Sequence, residues 1–278
     1  MSILDQSGLC EVLEKSSTMD VRSLRAHIER KIGEYEIEIL PFPHMIIENF
    51  FPESVWREII GRNLFNMNRG REWFTKEQLI ELRSSSPYDH RLQINLCADA
   101  DYDASDSDRK FWEMIGRTFT ADDWFPRLIY QKLPQYFQIR FGELVERPDF
   151  FSKFRKECFL QRHEPSYYIG PHTDIPTRVF TCIFSFAEVN GYEDFGTRLM
   201  RHKDPFMRCK GMQHYTNWDD FETVKVAEYR PNNFLLFFKT PQSWHAVQEI
   251  TADVPNQRYG MQYQFYEPDK GLFKFLTN

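Results

Sequence analysis

Apolar residues first recur at helical spacing near the start of the chain, where Val21, Leu24, Ile28 and Ile32 fall three or four apart within residues 20–34. That period predicts an amphipathic helix. Residues 40–51 are apolar and interrupted by prolines, which predicts a short strand, a turn at Pro52 and a helix opened by Glu53 and Ser54. Residues 71–108 show no single period: a polar stretch at 84–87, a strand candidate at 91–96, and an acidic run beginning at Asp99. The acidic run lacks the turn glycine and closing glutamate of an EF-hand, so it reads as a solvated loop capping a helix that starts near Arg109. Helical texture continues over 111–119 and 126–141, with Trp, Phe, Leu and Tyr on one side and a break at Pro134.

Beyond residue 150 the period shortens. Apolar runs at 158–162, 167–169, 179–186, 197–200, 223–227, 234–238, 245–250 and 258–266 are bounded by Gly, Pro and Asn. About eight such strands predict a mainly β fold with N-terminal and flanking helices, built as a double-sheet jelly roll or a related barrel. The expected organisation is a helical extension over 1–36 and a main domain over 37–278, with the jelly-roll core from about residue 150. Residues 191–220 make a long, locally basic connection, suited to a lid or substrate platform and equally to a plain solvated loop.

Composition narrows the partners. The 278 residues include 26 Phe, enough rings for a thick core or an aromatic-lined pocket. A net charge of −6 gives no long-range attraction to nucleic acid or an anionic membrane, and the apolar stretches are too short to span a bilayer. The first residues show no basic region followed by an apolar run, so a cytoplasmic, unexported protein is expected. Five scattered cysteines without a CxxC pair argue for reduced thiols.

The candidate chemistry lies in Gly-Pro-His172-Thr-Asp174 and Ser-Trp-His245-Ala-Val. Two imidazoles and a carboxylate supply half of an octahedral shell around non-haem Fe(II), with open positions for a cosubstrate and dioxygen. Residues two apart on a strand share a face, so His172 and Asp174 can meet one ion, with His245 arriving from another strand. His-x-Asp also occurs at His202 and Asp204, in a charged, Pro-containing stretch that reads as an exposed turn. Taken singly, His245 is more often a surface or core histidine than a ligand, and the same holds for His163, His90, His44 and His214. Arg258 alternates with Gly260, Gln262 and Gln264 on one strand face, which is either solvated or the barrel interior. In the interior its guanidinium needs an anion, and a carboxylate matches its fork.

These motifs, together with residues 41–51, Arg162 to Asp174, 196–199 and 232–238, resemble the 2-oxoglutarate and Fe(II)-dependent dioxygenase superfamily, and their order is similar to its prolyl-hydroxylase-like branch. The resemblance implies a double-stranded β-helix whose His172, Asp174 and His245 hold Fe(II). It places 2-oxoglutarate on the metal with its distal carboxylate on Arg258, and implies hydroxylation of an unactivated C–H bond with dioxygen, giving succinate and CO2. Gly260 stands where the family often has a Ser contacting that carboxylate, so Tyr168 or Thr181 is expected to supply the second contact. Many prolyl 4-hydroxylases anchor through Lys, so Arg258 sets this chain apart from them. Halogenating relatives lack the carboxylate, so Asp174 favours hydroxylation, with desaturation, demethylation and ring closure left open. Arg178, Arg201 and Arg208 are candidate contacts to a polar small-molecule substrate. A protein side-chain hydroxylase and a non-catalytic jelly-roll binding protein are the alternatives.

Overall fold

The computed structural model describes residues 20–65, 90–96, 104–209, 211, 214–251 and 258–268. Cys10, Cys97 and most of the acidic run from Asp99 lie outside these residues.

Helix α1 (Val21–Glu34) begins where Asp20 accepts a hydrogen bond from the Ser23 amide at 2.7 Å. This bond satisfies one of the first-turn N–H groups left without an intrahelical partner. Its apolar stripe of Leu24, Ile28 and Ile32 is buried in the same cluster that underlies the sheets. Helix α2 spans Glu53–Gly61, following Pro52 as the periodicity predicts. Helix α3 (Asp106–Thr120) starts earlier than Arg109, because the Ser105 hydroxyl accepts from the Asp108 amide and two aspartates complement the N-terminal end of the helix dipole. The break at Pro134 separates α4 (Trp124–Lys132) from α5 (Pro134–Phe141), since proline fits the first turn of a new helix but not the interior of an old one.

All strands expected after residue 150 form: β3 (Arg155–His163), β4 (Ile169–His172), β5 (Arg178–Phe186), β6 (Thr197–His202), β7 (Phe221–Ala227), β8 (Pro231–Phe238), β9 (Trp244–Val247) and β10 (Arg258–Tyr266). With β1 (His44–Ile47) and β2 (Arg91–Asn95), they make a six-stranded sheet, β1-β8-β5-β10-β3-β2, and a four-stranded sheet, β4-β9-β6-β7. The chain passes repeatedly from one sheet to the other (β3 to β4, β4 to β5, β5 to β6, β7 to β8, β8 to β9, β9 to β10), and all their pairings are antiparallel. This is the winding of a double-stranded β-helix.

Strand β10 shows how the layers divide. Tyr259, Met261, Tyr263 and Phe265 are buried on one face, where Phe119 and Phe125 from the helices meet Tyr263. Much of the phenylalanine content sits in this layer. Arg258, Gly260, Gln262 and Gln264 take the opposite face, which lines a cavity between the sheets. Of the two readings of that polar face, the interior one holds.

Gly260 lacks a side chain for a reason of space. A Cβ there would lie 2.4 Å from the backbone oxygen of Phe184 on the neighbouring strand β5. Gly260→Ser is expected to lower stability by about 1–3 kcal/mol, the usual cost of forced overpacking. Denaturant unfolding checks this, and an unchanged midpoint would contradict the crowding.

Arg140 on α5 ties the helical layer to the site. It donates to Pro176 O at 2.6 Å and through Nε to Glu267 Oε1 at 2.7 Å, holding the turn after Asp174 against the end of β10. Among the described residues, no helix is long and apolar enough to cross a membrane.

Candidate metal centre

His172 and His245 are direct cross-strand partners on β4 and β9, with ring centroids 4.2 Å apart. Asp174 joins them, and the three ligand atoms all lie within 4.8 Å of one another, each on a buried residue. Among the described residues, this is the group able to hold a metal ion.

Asp174 does not arrive by strand alternation as expected. Strand β4 ends at His172, and Asp174 sits in the following turn, where Arg178 N bonds to Ile175 O. What aims its carboxylate is the next strand: Arg178 Nη1 donates to Oδ1 at 2.8 Å and Thr181 Oγ1 to Oδ2 at 2.7 Å. Burial works to raise the Asp174 carboxyl, but the Arg178 guanidinium foremost, then His245 and His172, holds it well below the usual carboxylate range. It is therefore ionised whenever the protein is folded near neutrality.

The imidazoles are equally prepared. His172 Nδ1 contacts Gly170 O at 2.9 Å and His245 Nδ1 contacts Ser243 O at 3.0 Å. A carbonyl oxygen only accepts, so in both rings Nδ1 carries the proton and Nε2 keeps its lone pair. Burial pushes both pKa values below the ordinary imidazole range, which keeps the rings neutral as a metal requires. Two Nε2 lone pairs and one carboxylate form the donor set that suits non-haem iron, so the residues fit the implied ion.

The cavity containing this group has a volume of about 370 Å³, and Arg258 lines it as well. Arg258 is buried, and its partners are neutral: Nη1 meets His163 Nδ1 and Nη2 donates to Thr197 Oγ1, both at 3.1 Å. Nε has no partner among the described residues, and burial pulls the guanidinium pKa down. His163 Nδ1 lies equally close, at 3.1 Å, to the Arg258 carbonyl oxygen, so the ring meets Arg258 either by accepting from its guanidinium or by donating to its carbonyl.

Burial, then Arg258 and Arg91, keeps the His163 pKa well below its ordinary value. Below about pH 6.5 the unfolded chain takes up a proton on this ring that the native state refuses, so stability falls on acidification. His163→Gln is expected to remove a share of that fall approaching about 1.4 kcal/mol per pH unit, read from Tm against pH. An unchanged slope would mean the ring is charged in the folded state.

Other expected site residues fall elsewhere. Tyr168 is exposed and its neighbour Tyr167 lines the cavity instead, its ring 4.2 Å from His163. Both tyrosines precede β4, and only Tyr167 turns into the cavity. Thr181 is committed to Asp174, and Thr197 is the hydroxyl that holds Arg258. Arg178 lines the cavity but is paired with Asp174, while Arg201 is an exposed partner of Glu222 at 2.6 Å and Arg208 is exposed. Neither Arg201 nor Arg208 lines the cavity. His202 packs against Phe221 with Nδ1 accepting from the Asp204 amide, away from the centre.

His214 is a residue that the sequence does not single out. It lines the cavity with its ring 4.8 Å from His172, in a polar connection where a lone His carries no signal of its own. The connection between β6 and β7 is pressed onto the centre: Gly211 has φ +119°, and a Cβ there would lie 2.3 Å from Asp174 O. Only glycine combines that backbone angle with that approach.

No protein-family model and no curated protein matches the chain. Solved structures that overlay on it include a Pseudomonas putida prolyl-4-hydroxylase, 11% identical with a TM-score of 0.42, covering 88% of this chain and 98% of that one. HygX from Streptomyces hygroscopicus with nickel, 2-oxoglutarate and hygromycin B bound is also 11% identical, with a TM-score of 0.42 over 81% of this chain and 82% of that one. The Fe(II)/α-ketoglutarate-dependent dioxygenase TqaL is 10% identical, with a TM-score of 0.40 over 94% of each chain.

Proposed function

We propose that the protein is a non-haem Fe(II)- and 2-oxoglutarate-dependent dioxygenase that hydroxylates a polar small molecule. One observation carries this reading: a preorganised His172–Asp174–His245 group shares a cavity with Arg258, a buried guanidinium that has no anionic partner among the described residues. A buried unpaired cation is costly, and a dicarboxylate reaching from the metal to Arg258 would relieve that cost.

When bound, Fe(II) with 2-oxoglutarate supplies oxidative decarboxylation to succinate and CO2, coupled to oxidation of a C–H bond. The chain's own residues bind and orient. His172 and His245 offer Nε2, and Asp174 offers a carboxylate whose direction Arg178 and Thr181 set. Arg258 receives the distal carboxylate, steered by His163 and Thr197, and Tyr167 and Ile169 shield that end of the cavity. Asp174 leaves no space for a halide in its place, which favours hydroxylation. The cavity is of the size that encloses a small ligand, which favours that class over a protein side chain.

The test is anaerobic addition of Fe(II) and then 2-oxoglutarate to the full chain. A weak visible charge-transfer band from the chelate is expected, followed by succinate release on exposure to oxygen. A chain that binds Fe(II) without forming the band, and releases no succinate, would be a jelly-roll binding protein.

A further inference from the structure

We infer that Gln264 and Gln262 are specificity-determining residues that select a neutral, polyhydroxylated ring compound, such as a sugar or cyclitol. The inference rests on the oxygenase reading in taking the cavity as the substrate site. The residues themselves supply the ligand class.

A relay of donors and acceptors runs outward from the metal ligand. Arg178 donates from Nη1 to Asp174 Oδ1 at 2.8 Å and from Nη2 to the Tyr266 hydroxyl oxygen at 2.5 Å. Having accepted from a group that only donates, the Tyr266 hydroxyl directs its single proton to Gln264 Oε1. The Gln264 amide is thereby locked with oxygen toward Tyr266, and its N–H groups have no protein partner among the described residues, on a side chain that lines the cavity. Its polarity is set by Asp174 and would not survive a turn of the amide.

Gln262 is the next residue on the same face of β10, about 7 Å away. Its Oε1 accepts from Gln161 Nε2 at 2.7 Å. An amide pair joined by one bond in either sense leaves three N–H groups and one C=O unspent, so this pair offers donors and an acceptor together. The charges nearest in register are already compensated: Glu157 by Arg155 at 3.2 Å and Arg178 by Asp174.

This stretch of β10 is thus uncharged, with Arg91 and Arg258 lining the cavity away from it, and it presents Gln264 as a fixed donor and the Gln161–Gln262 pair as donor and acceptor, roughly one six-membered ring apart. Hydroxyls both donate and accept, so a hydroxylated ring satisfies all three groups. An acid or an amine offers only one sense and brings a charge that this stretch does not neutralise.

Equilibrium binding to the full chain tests this without iron or turnover. The probes are myo-inositol, methyl glucoside and trehalose, set against citrate, spermidine and a prolyl-glycine dipeptide. At least one polyol is expected to bind. Gln264→Glu, which still accepts from Tyr266 but loses the cavity donor, should weaken that polyol about tenfold. Gln262→Leu, at a partly buried position lining the cavity, provides a second variant with the same expected direction. A monodeoxy analogue should lose about tenfold against the parent and little against Gln264→Glu, a coupling that a purely structural role would not produce. Binding only of acid, amine or dipeptide, no polyol binding, or a polyol affinity that both variants leave unchanged would overturn the inference. A chelate band without polyol binding defeats this inference alone, whereas polyol binding without the band defeats only the oxygenase reading.

Discussion

Alanine in place of His245 is expected to abolish Fe(II) binding, and alanine in place of His172 to do the same. Each ring is held by an Nδ1 contact to a carbonyl two residues earlier in the chain, so each delivers a neutral Nε2 that no neighbouring group replaces. The loss should exceed the roughly 10- to 100-fold that follows from disturbing a ligand's outer partner, because here the ligand itself is gone. Anaerobic titration with Fe(II), or with Co(II) followed by its absorption, reads the effect. The histidine variants isolate the metal from the fold better than an aspartate variant does. Asp174→Ala would also strand the buried Arg178 guanidinium, at a cost of about 3–5 kcal/mol in stability. The metal-free His245→Ala chain, in contrast, should unfold near the parent Tm. Undiminished Fe(II) affinity in either histidine variant would mean that the centre has been assigned to the wrong residues.

Arg258→Ala carries the second large effect. Fe(II) affinity should hold, since Arg258 is not a ligand, while 2-oxoglutarate loses the buried cation proposed to receive its far carboxylate. Removing one partner of such a pair costs about 3–5 kcal/mol, or on the order of a hundred- to several-thousandfold in affinity. Arg258→Lys should recover only part of this, because an ammonium keeps the charge and loses the bidentate fork that His163 and Thr197 orient. Titration of the chelate band measures both variants. Parental cosubstrate affinity in Arg258→Ala would remove the anchor.

Much of the fold was legible in the sequence because its elements are strongly periodic. Leu24, Ile28 and Ile32 announce α1, Pro134 divides α4 from α5, and the alternation from Arg258 to Tyr266 describes β10 with its two faces. Short or capped elements were less legible. Ser105 starts α3 before the apolar pattern begins, and β4 carries Gly170 and Pro171, which mask a strand whose essential residue is His172. Tyr167 and Tyr168 both precede β4, which begins at Ile169, so strand alternation in the sequence did not decide which of them faces the cavity.

The site divides along the same line. His172, Asp174, His245 and Arg258 belong to chemically selective types at suggestive spacing, and they stand together in the structure. His163, Thr197, His214 and Tyr266 carry no sequence signal, because a lone His, Thr or Tyr is chemically ordinary until a neighbour gives it a role. Arg178 and Thr181 were candidates for other tasks and proved to be partners of Asp174.

The sequence by itself therefore determined the layering: period sets which face of each element is apolar, and burying those faces leaves few arrangements. It also determined the donor types at the centre, since imidazole and carboxylate chemistry does not depend on fold. Only the tertiary structure decided what those groups are prepared to do. Which nitrogen of each imidazole is free, whether Arg258 finds an anion and which way the Gln264 amide points all depend on hydrogen bonds between residues far apart in the chain. The antiparallel winding creates those contacts, and no local pattern of residues records them.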